Sequence, residues 1–179
     1  MTWAPRRARE SEIPALEELI RLSARALQTP FYSQTQIDAA LGPVFGVDRQ
    51  LISDGTYFAV EGGRRIIGCG GWSRRGALFG SDRGRVGVEP LLDPARDAAR
   101  IRAFFVDPDW ARQGIGSSLL ATCEAALQAE GFWRASLVAT LAGEPLYAKF
   151  GYAATERYEI PLRAAPALPV VRMEKRWRG

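Results

Sequence analysis

Apolar residues change their spacing several times along this chain, and each change predicts an element. Ile13, Leu16, Leu19, Ile20, Ser23 and Leu27 recur every three or four positions. That spacing gives one buried face of a helix from a Ser11 cap to about Leu27, with Pro14 in the first turn, where a missing N–H costs little. A short strand, Trp3 to Arg9, precedes it. Thr29-Pro30-Phe31-Tyr32 ends the helix, and Ser33 with Gln36 forms a capping box that starts another, to about Leu41. Pro43 to Asp54 reads as further short helix. Thr56 to Glu61 and Arg65 to Ser73 are strands, joined by a Gly62-Gly63 turn into a hairpin.

Arg74 to Arg96 breaks the pattern with Gly76, Gly80, Gly84, Gly87, Pro90 and Pro94, and reads as a long, mobile surface loop. Ala98 to Val106 is a strand whose nearly continuous apolar end suits a central place in a sheet. Gly114 to Glu130 is helical, with Ile115, Leu119, Leu120, Cys123, Ala126 and Leu127 on one face and Gly131 as the stop. Ala135 to Leu141 is a strand and Glu144 to Phe150 a short helix stopped by Gly151. Tyr152 to Leu162 is a strand. Pro169 to Glu174 is the last, after a connector rich in Pro and Ala. The order β-αα-β-β-β-α-β-α-β-β predicts an α/β fold, a mixed sheet with helices on both faces. No repeat or linker divides residues 1–179, so one domain is expected.

Composition narrows the chemistry more than the fold. The 179 residues contain no histidine and two cysteines, Cys69 and Cys123. Ser–His and Cys–His pairs are therefore excluded, and so are the usual zinc sites. Both cysteines fall at apolar positions and read as core. The net charge of +4 comes almost wholly from arginine and forms no dense basic run, so nucleic-acid binding is not expected. No stretch reaches the roughly 20 apolar residues that span a membrane. The Arg-rich start lacks a signal-type apolar core, so a cytoplasmic location and no membrane partner are expected.

The densest signal is Phe104-Phe105-Val106-Asp107-Pro108-Asp109-Trp110-Ala111-Arg112-Gln113-Gly114-Ile115-Gly116-Ser117. A strand runs into a turn with two glycines and then a helix. Glycines let a ligand approach the backbone, and the first helical N–H groups and the dipole favour an anion such as phosphate. A dinucleotide fingerprint would need Gly or Ala where Leu119 stands and an acid at the end of the next strand, where Leu141 and Ala142 lie. A P-loop would need lysine after Gly116, where Ser117 stands.

Val106 to Leu120 resembles motif A of the GNAT N-acetyltransferase superfamily. Leu146-Tyr147-Ala148-Lys149-Phe150-Gly151-Tyr152 resembles that family's later aromatic motif, at the usual separation. The resemblance covers most of the chain. It implies a GNAT fold, with a mostly antiparallel sheet of six or seven strands, and acetyl-CoA as cosubstrate, with no metal. It places the pyrophosphate on Arg112, Gln113, Gly114, Ile115, Gly116 and Ser117, with Ala111 departing from the family's Arg or Gln. Phe104, Phe105 and Val106 would line the strand edge that pairs with the pantetheine amides. Tyr147 falls on the general acid that reprotonates the CoA thiolate in a ternary complex. A phenol near pKa ~10 can donate to a thiolate whose conjugate acid lies near ~8.5. Thr140 stands where the family often has Asn.

The remaining roles are less marked. A general base could be Glu144, Asp107 or Glu89, or a water chain. Phe31, Tyr32 and Trp72 are candidates to line an acceptor pocket, in part by cation–π contact. The expected acceptor is a small-molecule amine. A protein N-terminus or lysine is the alternative, as is a non-catalytic acyl-CoA sensor. A homodimer is left open.

Overall fold

A computed structural model describes residues 2–82, 87 and 89–177. Seven strands form one sheet in the order β1-β2-β3-β4-β5-β7-β6. They are β1 (Arg6–Arg7), β2 (Tyr57–Gly62), β3 (Arg65–Ser73), β4 (Ala99–Val106), β5 (Arg134–Thr140), β6 (Ala153–Leu162) and β7 (Ala165–Arg176). All neighbours are antiparallel except β4 and β5. Among the described residues five α-helices accompany them: α1 (Ile13–Leu27), α2 (Gln34–Ala40), α3 (Arg49–Ser53), α4 (Ile115–Ala129) and α5 (Glu144–Lys149). This is the mixed α/β sheet expected from the spacing of apolar residues.

Two apolar clusters occupy the two sides of the sheet. Leu16, Ile20, Ile37, Phe45 and Leu51 join α1, α2 and α3 to Ala59, Phe105 and Leu168. Ile115, Leu119, Leu120 and Leu127 of α4 pack with Val60, Ile67, Leu137 and Tyr147. Alternation along a strand explains the division, because neighbouring side chains point to opposite faces. Phe105 belongs to the first cluster, and Phe104 packs against the second.

Four expectations change. The opening strand shrinks to two residues, Arg6 and Arg7. Ser11 does not cap α1. It lies inside a 3-10 turn over Glu10–Glu12, where the Glu12 side chain accepts from the Arg9 N–H at 2.8 Å. The last strand begins at Ala165, not Pro169, after a turn that sets Ala164 at φ 56°. Pro166 and Pro169 are tolerated because β5 pairs only with Val170–Arg176, leaving that half of β7 with a single neighbour. The Arg74–Arg96 segment is irregular, as expected, but its described part is tied down. Arg75 bridges to Leu91 and forms an ion pair with Asp54 at 2.9 Å. Arg102 donates to the Gly80 carbonyl at 2.5 Å, and the Ser81 hydroxyl donates to the Gly42 carbonyl. Residues 83–86 and 88 lie outside the described part.

Candidate active site

The feature that organises the site is where β4 and β5 part. Parallel pairing is confined to Ala99 with Ala135 and Arg100 with Ser136. Beyond these two positions the strands diverge. A bulge in β4 accompanies the divergence. Cys69 faces Phe105 and Gly71 faces Arg102, so the single residue Gly70 lies opposite both Ala103 and Phe104. Ala103 takes φ 56°, an uncommon value for a residue with a Cβ. The buried Tyr57 hydroxyl donates to the Ala103 carbonyl at 3.0 Å and holds the bulge from one side. On the other side, the Phe104 ring lies where a Cβ on residue 70 would be, 2.8 Å away. The glycine-rich stretch of β3 is thus a packing requirement.

A cavity of about 700 Å3 fills the divergence and is lined from both sides of the sheet. At one end stands the start of α4. Gly114 caps this helix in the left-handed region, at φ 86°, and Arg112 adopts φ 64° two residues earlier. The first bond of the helix runs from the Ser118 N–H to the Gly114 carbonyl at 3.0 Å. The N–H groups of Ile115, Gly116 and Ser117 therefore have no partner within the helix. A Cβ on Gly114 would meet nothing within 4 Å, so the glycine serves its dihedral angle and leaves the approach open. Trp3 braces this turn: its indole N–H donates to the Gln113 carbonyl at 2.7 Å, and its carbonyl accepts from Ser118 Oγ at 3.0 Å.

Tyr147 stands on the same side of the sheet. The turn after β5 closes through the Gly143 N–H, which donates to Thr140 Oγ1 at 3.1 Å, and α5 begins at once. The Tyr147 ring packs edge-on against Phe104 and Tyr152, with centroids 6.0 Å away in each case. Tyr147 is 8% exposed and lines the cavity. Burial pushes its phenol above the ordinary value, so the group keeps its proton throughout the neutral range.

The structure brings most of the expected residues together. Phe104, Phe105, Val106, Arg112, Gly114, Ile115, Gly116, Ser117 and Tyr147 all line the cavity. Gln113 does not; it meets Trp3 through its carbonyl. Phe31 lines the cavity and is half exposed. Trp72 is a core residue at 1% exposure, packed on Phe132, because its position on β3 faces α4 and not α1 and α2. Tyr32 is also withdrawn. Its hydroxyl donates to the Pro169 carbonyl at 2.7 Å and accepts from the Leu141 N–H at 3.0 Å, tying the end of β5 to the interior of β7.

The candidate bases are engaged elsewhere. Glu144 is held by both Arg157 guanidinium nitrogens, at 2.5 and 3.2 Å, on the outer strand β6. Asp107 caps the turn through the Asp109 N–H at 2.9 Å and pairs with Arg65 at 3.1 Å. Glu89 accepts from the Ala77 N–H. Among the described residues no carboxylate lines the cavity. Sequence reasoning did not single out Gln28, Leu78 or Phe79, which do line it. Phe79 carried a usable signal, as a large apolar residue alone in an irregular segment. Gln28 carried none.

A family model described as an acetyltransferase (GNAT) domain matches residues 53–154, more than half of the chain. The chain belongs to the GNAT acetyltransferase family. The matched span runs from the end of α3 to the start of β6 and holds the bulge, the α4 turn and Tyr147.

Solved GNAT structures share the fold. A GCN5-related N-acetyltransferase from Rhodopseudomonas palustris is 19% identical with a TM-score of 0.72, covering 98% of this chain and 96% of that one. The PaiA N-acetyltransferase from Thermoplasma acidophilum, in complex with coenzyme A, is 15% identical with a TM-score of 0.67, covering 99% and 100%. YncA from Salmonella typhimurium, solved with its cofactor acetyl-CoA, is 13% identical with a TM-score of 0.64, covering 99% and 95%. No curated protein matches the sequence. Among the described residues of this GNAT chain, no helix is long and apolar enough to cross a membrane.

Proposed function

We propose that this chain transfers an acetyl group from acetyl-CoA to a primary amine by direct attack within a ternary complex. The observation that carries the reading is the cavity through the open part of the sheet, with an anion-favouring helix start and the buried Tyr147 on one side. Solved family members hold CoA or acetyl-CoA. Here the pyrophosphate would meet the backbone from Arg112 to Ser117. The pantetheine amides would pair with the open edge of β4.

The amine nitrogen attacks the thioester carbonyl. An N–C bond forms, the C–S bond breaks, and the sulfur leaves as a thiolate. The thiolate takes the Tyr147 proton, which the tyrosinate regains from water. The proton lost by the amine goes to water, in keeping with a cavity that no described carboxylate lines. Because Leu78, Phe79 and Gly80 border the amine side, a small molecule suits it better than an extended peptide.

Thiol release from acetyl-CoA with a panel of amines tests the reading, with Tyr147→Phe alongside. Tight CoA binding without turnover on any amine would instead identify a sensor. A Tyr147→Phe variant with unchanged turnover would remove the assigned acid.

A further inference from the structure

The side of the cavity that faces α1 and α2 differs from the α4 side in what it offers. Phe31 and Phe79 stand at its rim, 50% and 40% exposed, and Leu27, Val44 and Phe45 continue the apolar surface inward. Large apolar side chains left open at the mouth of a cavity mark a place where something apolar docks.

Among the described residues no carboxylate lines this side of the cavity. Arg102, Arg112 and Lys149 are the charged residues lining the cavity, among those described. Arg102 is matched inside the protein by Asp48 at 3.0 Å. A ligand with a second positive charge would find no lining carboxylate to meet it, and a buried unpaired charge is expensive.

One buried acceptor on the cavity lining lacks a partner. Gln28 ends α1, lines the cavity at 9% exposure, and its Oε1 is buried without a hydrogen-bond partner. Such an acceptor inside an apolar pocket calls for a donor from a ligand.

We propose that the amine acceptor carries an aromatic or similarly apolar body and no second positive charge. The body packs among Phe31, Phe45 and Phe79, and Gln28 Oε1 accepts a hydrogen bond from the nitrogen. The proposal rests on the acetyl-transfer reading above, and Gln28 is a specificity residue in it.

The test uses the full chain and three probes: 2-phenylethylamine, 1,4-diaminobutane and glucosamine. Thiol release from acetyl-CoA gives kcat/KM for each, and calorimetry gives binding of each to the CoA-loaded protein. Phenylethylamine is expected to exceed the other two by about 100-fold or more in kcat/KM. Turnover that favours the diamine or the aminosugar overturns the acceptor class and leaves acetyl transfer standing. Phenylethylamine that binds selectively without turnover upholds the pocket and overturns the transfer reading. Selectivity in neither measurement overturns the inference. Gln28→Leu should raise KM for phenylethylamine about tenfold while KM for acetyl-CoA, the control for folding, stays put. An unchanged amine KM removes Gln28 from the proposal. Gln28→Glu supplies the absent carboxylate and should shift relative use toward diaminobutane; no shift counts against the charge argument.

Discussion

The two ends of the cavity are built by different means. The α4 end is made of backbone: a left-handed Gly114, a left-handed Arg112 and the first N–H groups of a helix. The α1–α2 end is made of side chains from scattered places, among them Gln28, Phe31, Phe45 and Phe79. Backbone recognition needs particular dihedral angles and so leaves glycines at set spacing. Side-chain recognition needs only some apolar surface from whichever elements reach the spot, and it leaves no motif.

The comparison can be broken by substitution. The largest effect is expected at the junction of the two ends. Tyr147→Phe should lower turnover by about ten- to ten-thousand-fold with CoA binding retained, the range for a lost general acid. Steady-state rates with a separate CoA titration check it. At the backbone end, Gly114→Val imposes a β-branched side chain on φ 86° at a cost of about 1–2 kcal/mol. Because no neighbour lies within 4 Å of the new Cβ, the cost is conformational, and acetyl-CoA affinity should fall roughly tenfold. The amine KM should not change. Phe31→Ala should do the reverse, raising the amine KM about tenfold and sparing acetyl-CoA. Its half-exposed ring makes a melting change of more than a few degrees unexpected. Equal effects of both variants on both substrates would erase the distinction between the ends.

The smallest effect is one of pH. Burial pushes the Cys69 thiol up to about 12 and raises Cys123, Tyr57 and Tyr147 as well. In the unfolded chain these groups ionise near ~8.5 for cysteine and ~10 for tyrosine. The folded protein then binds more protons than the unfolded one. Stability is fully present below about pH 8.5 and declines above it. Thermal melts from pH 6 to 10 should be flat at first and then fall, and a rise above pH 9 would contradict the assignment of these groups to the core.

The same contrast explains how much was legible in the sequence. The hairpin of β2 and β3, the α4 helix and α5 follow directly from periodicity and stop signals, because local spacing decides them. Ser33 caps α2 as expected, accepting from the Gln36 N–H at 3.2 Å. Tyr147 and the glycine turn stand out in the sequence because motif and element coincide, and both line the cavity. Trp72 was misplaced because an aromatic on a strand gives no indication of which face it takes until the sheet partners are known. Glu144 looked free because its partner, Arg157, lies 13 residues away on a strand whose register spacing does not reveal. The Phe79 loop looked mobile because its anchors, such as the Gly42 carbonyl that accepts from Ser81, are distant in sequence.

The two-residue pairing of β4 with β5 has a thermodynamic consequence. A parallel pair that stops so early leaves edge donors and acceptors facing each other across a space too wide to bond, and the bulge at Ala103 keeps it so. The chain thus encodes a sheet that is one strand short, and an amide-bearing ligand of extended shape would be that strand. Such a ligand belongs to the folding equilibrium as well as to the reaction. At a hundred times its dissociation constant it would add about 2.7 kcal/mol to the stability of the fold. The protein in a cell rich in that ligand would then be a more stable molecule than the same chain purified away from it.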